Sequence, residues 1–155
     1  MADDREGLVC CRHVMATGRP FGVEEVESEE HLSLEPVPSA VGRARAFIRS
    51  CLGDIEPDDC DAAVLMTSEL VTNAVLHART RVALCLAWGV DHVMVAVADD
   101  DNDQPVPKPR STTRVGGRGL ALVAELAVDW GSVTTVEGKV MWFSIPRRVP
   151  ARRAG

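Results

Sequence analysis

The chain has no tyrosine, only three phenylalanines and three tryptophans, and two lysines against fifteen arginines. With abundant alanine and valine, that skew indicates a GC-rich genome and says nothing about function. There is no excess of positive charge: the net charge is −6 and the pI about 5.2. Direct nucleic-acid binding is therefore disfavoured, because it needs basic surface to displace counterions from phosphates; a basic protein partner is easier to accommodate. No apolar run approaches the roughly 20 residues of a membrane span. The first residues, Met-Ala-Asp-Asp-Arg-Glu, carry acid where a signal peptide carries positive charge. A cytoplasmic location with no membrane attachment is expected. The five cysteines (Cys10, Cys11, Cys51, Cys60, Cys85) are odd in number and form no paired framework, so reduced thiols are expected. Cys10, Cys11 and His13 lack a second ligand pair at zinc spacing. No P-loop GxxxxGK[ST] occurs, and no internal repeat.

What remains is enough for one core: 155 residues, 46% of them hydrophobic, make a single domain. Residues 1–30 show no sustained period and include five glutamates between Glu24 and Glu30, which predicts a loosely attached arm. His31 to Glu35 alternates like a short strand that Pro36 and Pro38 stop. Ser39 can open a helix with Val41, Ala44, Ile48 and Leu52 on one face and Gly53 at its end. Pro57, followed by Asp58, Asp59 and Asp61, opens a second helix expected to reach about His77. Val82, Leu84 and Leu86, then Val93, Val95 and Val97, alternate about Gly89 and Asp91 as a hairpin. Residues 100–115 have three prolines and no apolar period, which predicts a long loop. A helix carrying Leu120, Val123, Ala124 and Ala127 follows, then a second hairpin about Gly138 and Lys139. Arg147, Arg148, Arg152 and Arg153 make a basic tail, expected over 148–155 to be solvated. This order predicts an α+β, two-layer sandwich, with helices on one face of a mixed, mostly antiparallel sheet, over 31–147.

Chemistry concentrates in three places. Glu69, Asn73 and His77 stand at i, i+4 and i+8, one column of an ideal α-helix, with Leu65, Leu70 and Ala74 beside them on the core-facing side. Buried polar groups need partners, and an amide oxygen can hold Mg²⁺ without placing a second charge beside a carboxylate. Glu69 read alone suits a paired structural role as well as a catalytic one. Asp99 closes a strand, and with Asp101 and Asp103 it mimics half of an EF-hand loop, but Gln104 and Arg110 occupy the positions that require glycine and glutamate. Gly116, Gly117 and Gly119 open a helix, where backbone N–H groups can approach a phosphate; the same glycines suit a flexible joint.

In their order, Glu69-Leu-Val-Thr-Asn73-Ala74, Val97-Ala98-Asp99 and Gly116-Gly117-Arg118-Gly119-Leu120 resemble the N, G1 and G2 boxes of the GHKL ATPase/kinase superfamily, the Bergerat fold. Within it they are similar to the small anti-sigma-factor serine/threonine kinases. The likeness runs over about 31–146 and takes in Asp129-Trp130-Gly131 and Gly138-Lys139-Val-Met-Trp142-Phe. It implies ATP and Mg²⁺ as cofactors, Asn73 as the Mg²⁺ ligand, Glu69 as the catalytic base and Asp99 as acceptor for the adenine amino group. It further implies Gly117 and Gly119 against the phosphates and Arg110 and Arg114 in the lid over them. The partners implied are a sigma factor and an anti-sigma-factor antagonist protein, and a homodimer is left open. The chain departs from the pattern at Asp101 and Asp103, where the family usually has glycine. A non-enzymatic regulatory binding module with weak or lost nucleotide binding is therefore the alternative. The segment before residue 31 is expected to be too short for a phosphoacceptor-histidine hairpin, so a complete sensor histidine kinase is not expected.

Overall fold

A computed structural model describes residues 11–101, 115–136 and 138–151. In chain order these form a helical turn α1 over 11–15, a 3₁₀ turn Val23–Glu25, strand β1 (Ser28–Leu34), helices α2 (Ser39–Cys51) and α3 (Pro57–Asn73), and a π-helical turn Ala74–Ala78. Strands β2 (Val82–Trp88) and β3 (His92–Asp99), helix α4 (Val115–Leu126) and strands β4 (Asp129–Thr134) and β5 (Lys139–Pro146) complete them. The five strands make one sheet in the order β1-β2-β3-β5-β4, and all four ladders are antiparallel. The α+β sandwich expected from the element order is what forms.

Alternation along the strands sorts side chains into two layers. Leu34, Leu84, Leu86, Val95, Phe143 and Ile145 face α2, α3 and α4, where they meet Ala44, Ile48, Met66, Leu70 and Val123. Each large side chain buried there contributes about 1.5–3 kcal/mol. Small residues on the helices, Ala40, Ala44, Ala63 and Ala74, let the axes come close to the sheet.

The opposite face is covered as well. The arm expected over 1–30 is described from residue 11, and from there it lies on the outer face of the sheet. Cys11, Val14, Met15 and Phe21 pack against Cys85, Ala87, Met94, Ala96, Val140 and Trp142. These four anchors are too sparse to give a helical or strand period, so composition alone did not reveal them. Cys11 and Cys85 are joined as a disulfide, with Cα atoms 6.0 Å apart, which corrects the expectation of five reduced thiols. Seventy-four residues separate the two, and only the fold brings them together. Phe21 lies over Gly89, where a Cβ would come within 2.9 Å of the ring. Arg19 donates to Asp129 across 3.1 Å and lies 5.4 Å from the Trp142 ring centroid. Gly131, paired with Trp142 in the ladder, leaves room for the indole: a Cβ there would meet its nitrogen at 3.1 Å.

The basic tail is tied down where it leaves β5. Arg147 donates to the Gly89 carbonyl across 2.7 Å. Arg148 forks onto both carboxylate oxygens of Asp59, at 2.9 and 2.8 Å, and its carbonyl accepts from the Glu56 N–H. Expected to be solvated, these two arginines are instead engaged, Arg147 at the β2–β3 turn and Arg148 at the start of α3. Residues 152–155 lie outside the described residues. Among the described residues, no helix is long and apolar enough to cross a membrane.

Candidate functional site

Helix α3 is the axis of the site. Pro57 opens it and Asp58 and Asp59 occupy its first turn, where carboxylates favour the positive end of the helix dipole. Its sheet-facing side is fixed by Ala63, Met66, Leu70 and Val71, all buried. With that side locked, Glu69 and Asn73, one turn apart, are turned toward α4, and both are half-buried. Gly119 meets them there. A Cβ at Gly119 would lie 3.1 Å from Glu69 Oε2, 3.3 Å from Glu69 Cβ and 3.4 Å from Asn73 Nδ2. The first and third sequence segments thus depend on each other: the glycine-rich opening of α4 can lie against the polar face of α3 only because position 119 lacks a side chain.

Asn73 Oδ1 is buried and makes no hydrogen bond within the described structure. A buried carbonyl oxygen without a partner costs about 1–3 kcal/mol, so the arrangement is one a ligand would complete. An oxygen donor suits a hard divalent cation such as Mg²⁺, and the adjoining Glu69 carboxylate adds negative charge to that corner. Thus the residues present fit the metal implied by the sequence resemblance.

His77 does not join them. After Asn73 the helix widens into the π turn Ala74–Ala78, ending at Arg79 with φ 54°, and the extra residue per turn takes His77 out of the column into solvent. Leu65, expected on the core side, is 45% exposed, because Met66 and Leu70 take the core positions of α3.

Asp99 ends β3 and is buried, 7% exposed. Its Oδ1 accepts from the Asp101 N–H across 2.9 Å, and its Oδ2 lies 3.9 Å from Lys139 Nζ. Burial pushes its carboxyl above the usual carboxylate range, while the Asp101 N–H and Lys139 pull the other way. The corner is held tightly by neighbours the sequence reading did not assign a role. A Cβ at Gly138 would collide with the Asp99 carbonyl, so the β4–β5 turn presses directly on the end of β3. Thr80 Oγ accepts from the Asp100 N–H across 3.0 Å, bracing that end against the segment after α3. Lys139 could have been found from its register opposite Asp99, but register is not legible before the hairpin is folded.

Gly117 lies in the first turns of α4, as the sequence placed it. Arg110 and Arg114 fall outside the described residues, so their lid role stays an expectation. A shallow concavity elsewhere, between α2 and α3, is lined by Arg45, Arg49, Asp61, Val64, Leu65 and Ser68. It contains none of the site residues, and Arg45 is already engaged there by Ser68 at 3.0 and 2.8 Å.

Among solved structures, the chain is similar to the RsbU and RsbW domains of Rv1364c from Mycobacterium tuberculosis. That match has a TM-score of 0.58 and 20% identity over 82% of this chain and 35% of that one. It thus spans about a third of that protein's length. The histidine kinase domain of the blue-light activated histidine kinase from Erythrobacter litoralis EL346 matches at TM-score 0.45 and 22% identity, over 70% of this chain and 60% of that one. A second structure of the same kinase gives 0.47 and 23%, over 72% and 42%. No curated protein matches the sequence. Residues 34–145 match the histidine kinase-like ATPase domain as a family. That span is most of the chain and encloses α3, the end of β3 and the opening of α4, and the chain belongs to the histidine kinase-like ATPase domain family.

Proposed function

We propose that this chain is an ATP- and Mg²⁺-dependent serine/threonine protein kinase of the anti-sigma-factor type, which holds a sigma factor and phosphorylates an anti-sigma-factor antagonist in the cytoplasm. The observation that carries the reading is the contact of Gly119 with Glu69 and Asn73, beside a buried, unpartnered Asn73 Oδ1. The anti-sigma assignment rests on the sequence resemblance and on the likeness to a structure containing an RsbW domain. Bound Mg²⁺ would supply charge neutralisation across the phosphates of ATP.

The chain's own groups have separable tasks. Asn73 Oδ1 would supply the oxygen donor that holds the metal. Glu69, half-buried beside it, accepts the proton of a serine or threonine hydroxyl on the antagonist. Gly117 and Gly119 place no side chain at their own positions in the first turns of α4, so N–H groups there can face phosphate oxygens. Asp99 offers the carboxylate oxygen not held by Asp101 to the adenine amino group. Phosphorylation of the antagonist adds roughly −1.5 to −2 charge, enough to weaken its hold on an acidic chain and leave the sigma factor bound.

The second reading, a binding module without phosphoryl transfer, is favoured by one observation: Asp99 Oδ1 is already engaged by the Asp101 N–H, at a corner that also carries Asp100 and Asp101. The test is radiolabelled ATP with candidate antagonists, run beside a sigma-factor pull-down. Glu69→Gln should bind Mg·ATP and sigma factor as wild type does and transfer phosphate about 10²-fold more slowly or worse, the usual scale for a general base. Wild type that captures a sigma factor and labels no candidate would overturn the kinase and leave the binding module.

A further inference from the structure

Beyond the nucleotide corner, the outer face of the sheet carries a second cluster of reactive groups. Cys11 and Cys85, both fully buried, are joined there. Directly opposite Cys85 in the β1–β2 ladder stands His31, and facing residues of a ladder have Cβ atoms about 4.5–5.5 Å apart. The His31 Nε2 lies 3.3 Å from Glu29 Oε2 on the same strand, while Nδ1 is buried and makes no hydrogen bond among the described residues. Glu29 thus engages one ring nitrogen and leaves the other available on the strand position facing Cys85. A purely structural disulfide needs no such neighbour.

We propose that Cys11–Cys85 is a reversible thiol–disulfide site that latches the segment 11–27 over the outer face of the sheet, with His31 as the acid–base group for closing it. Its co-reactants are a dithiol reductant and a small-molecule disulfide oxidant. To open the latch, a thiolate of the dithiol attacks Cys11 Sγ, the S–S bond breaks and Cys85 leaves as thiolate. The second thiol of the reductant then displaces Cys11, and the dithiol ends as a disulfide, having given up two electrons and two protons. To close it, Cys11 forms a mixed disulfide with the oxidant and releases one thiol. His31 Nδ1 takes the proton of the Cys85 thiol, the Cys85 thiolate attacks Cys11 Sγ, and the oxidant's second thiolate leaves and recovers that proton. Attack on a fully buried bond requires the segment to lift, and a short turn held by few anchors is where local opening is least costly.

Opening the latch leaves the segment to the apolar contacts of Cys11, Val14, Met15 and Phe21, the exposed Arg19–Asp129 pair and, at its far end, Glu27, which is paired with Arg147 and bonded through its N–H to the Trp88 carbonyl. Contact of that extent resists local opening far less than a covalent link does. The full chain is therefore followed by hydrogen exchange of residues 11–27 with and without dithiothreitol, while non-reducing digestion and mass spectrometry score the linked Cys11–Cys85 peptide. The expected result is a linked peptide in the oxidised chain, lost in dithiothreitol, with amide exchange over 11–27 at least about tenfold faster after reduction. Cys11→Ser should exchange at the fast rate under both conditions. His31→Gln should slow reclosure by oxidised glutathione roughly tenfold at neutral pH, because the rate follows the thiolate fraction, while leaving the final linked fraction unchanged. A merely structural role for His31 would shift that fraction instead. Absence of the linked peptide under oxidising conditions, or slow exchange in Cys11→Ser, overturns the latch. An unchanged closure rate in His31→Gln overturns the role given to the imidazole.

Discussion

The two faces of one sheet are buried by different means. On the inner face, branched and aromatic side chains such as Leu84, Leu86, Phe143 and Ile145 interlock with three helices. On the outer face, alternate residues of β2 and β3 are mostly small or sulfur-bearing, Cys85, Ala87, Met94 and Ala96 among them, and their cover is a short segment held, among the described residues, by four apolar anchors, one covalent link and the ion pairs Arg19–Asp129 and Glu27–Arg147. Apolar area holds the first face. The second is held by a few discrete contacts, each of which a change in solution conditions can address, so one fold combines a rigid platform for a site with a cover sensitive to its surroundings.

The sharpest way to break this comparison is to cut equivalent pieces from each face. Phe143→Ala should cost about 3–5 kcal/mol in urea unfolding, with or without reductant. Trp142→Ala, its neighbour on the outer face, should cost a similar amount in the oxidised chain and clearly less once dithiothreitol is added. Equal losses for Trp142→Ala under both conditions would mean that the outer cover needs no link.

A second test asks whether the site belongs to the rigid side. Asn73→Ala should lower Mg·ATP affinity by at least the roughly 10–100-fold that losing even an outer-shell partner costs a metal site. Unfolding stability should hardly change, because alanine is the better helix former and an unpaired buried oxygen is removed. Calorimetry that finds Mg·ATP affinity intact would detach Asn73 from the metal.

Acid separates the faces by sign. Asp99 has its carboxyl raised by burial; the folded state then holds its proton more tightly than the unfolded one, and its contribution to stability is lost as pH rises from the ordinary carboxylate value through the raised one. Asp129 is lowered, chiefly by its hydrogen bond from Arg19, so its contribution is present above the ordinary carboxylate value and lost as pH falls through the depressed one. Asp99→Asn should therefore stabilise the ligand-free chain at neutral pH while weakening adenine-nucleotide binding. Asp129→Asn should make exchange over 11–27 faster at neutral pH and remove its acid sensitivity. A thermal melt of the first variant that does not rise, or an exchange profile of the second that keeps its acid step, would cancel the contrast.

The smallest expected effect is at Asp101→Gly. Its N–H, which holds Asp99, survives the change, while an adjacent negative charge is lost. Mg·ATP binding should tighten by no more than about fivefold, the scale of a solvent-screened charge effect of up to about 1 kcal/mol. Weaker binding in titration would show that the carboxylate has a use of its own.

Much of the inner layer was legible from sequence because its physics is periodic. Val93, Val95 and Val97 announce a strand, and Pro57 with three aspartates announces a helix start. Glu69 and Asn73 were legible as a pair from their i, i+4 spacing. The partners of these residues were not. Gly138 against Asp99, Lys139 opposite it and Thr80 beneath it are set by register and turn contacts that no local pattern encodes. His77 falls in the column only on an ideal α-helix, and the π turn Ala74–Ala78 overrides that geometry. The outer layer was hardest to read: its anchors in 11–27 are single residues in a polar context, and Cys11 and Cys85 share no local signal at all.

The fork of Arg148 onto Asp59 makes the start of α3 and the chain beyond β5 one mechanical linkage. The helix that bears Glu69 and Asn73 is thereby loaded at its first turn by whatever pulls on the chain past residue 148. In an experiment that tethers the molecule by that end, tension should reach α3 through the guanidinium before it peels β5 from β3. The polar corner would then respond to a load applied at a strand that carries none of its residues.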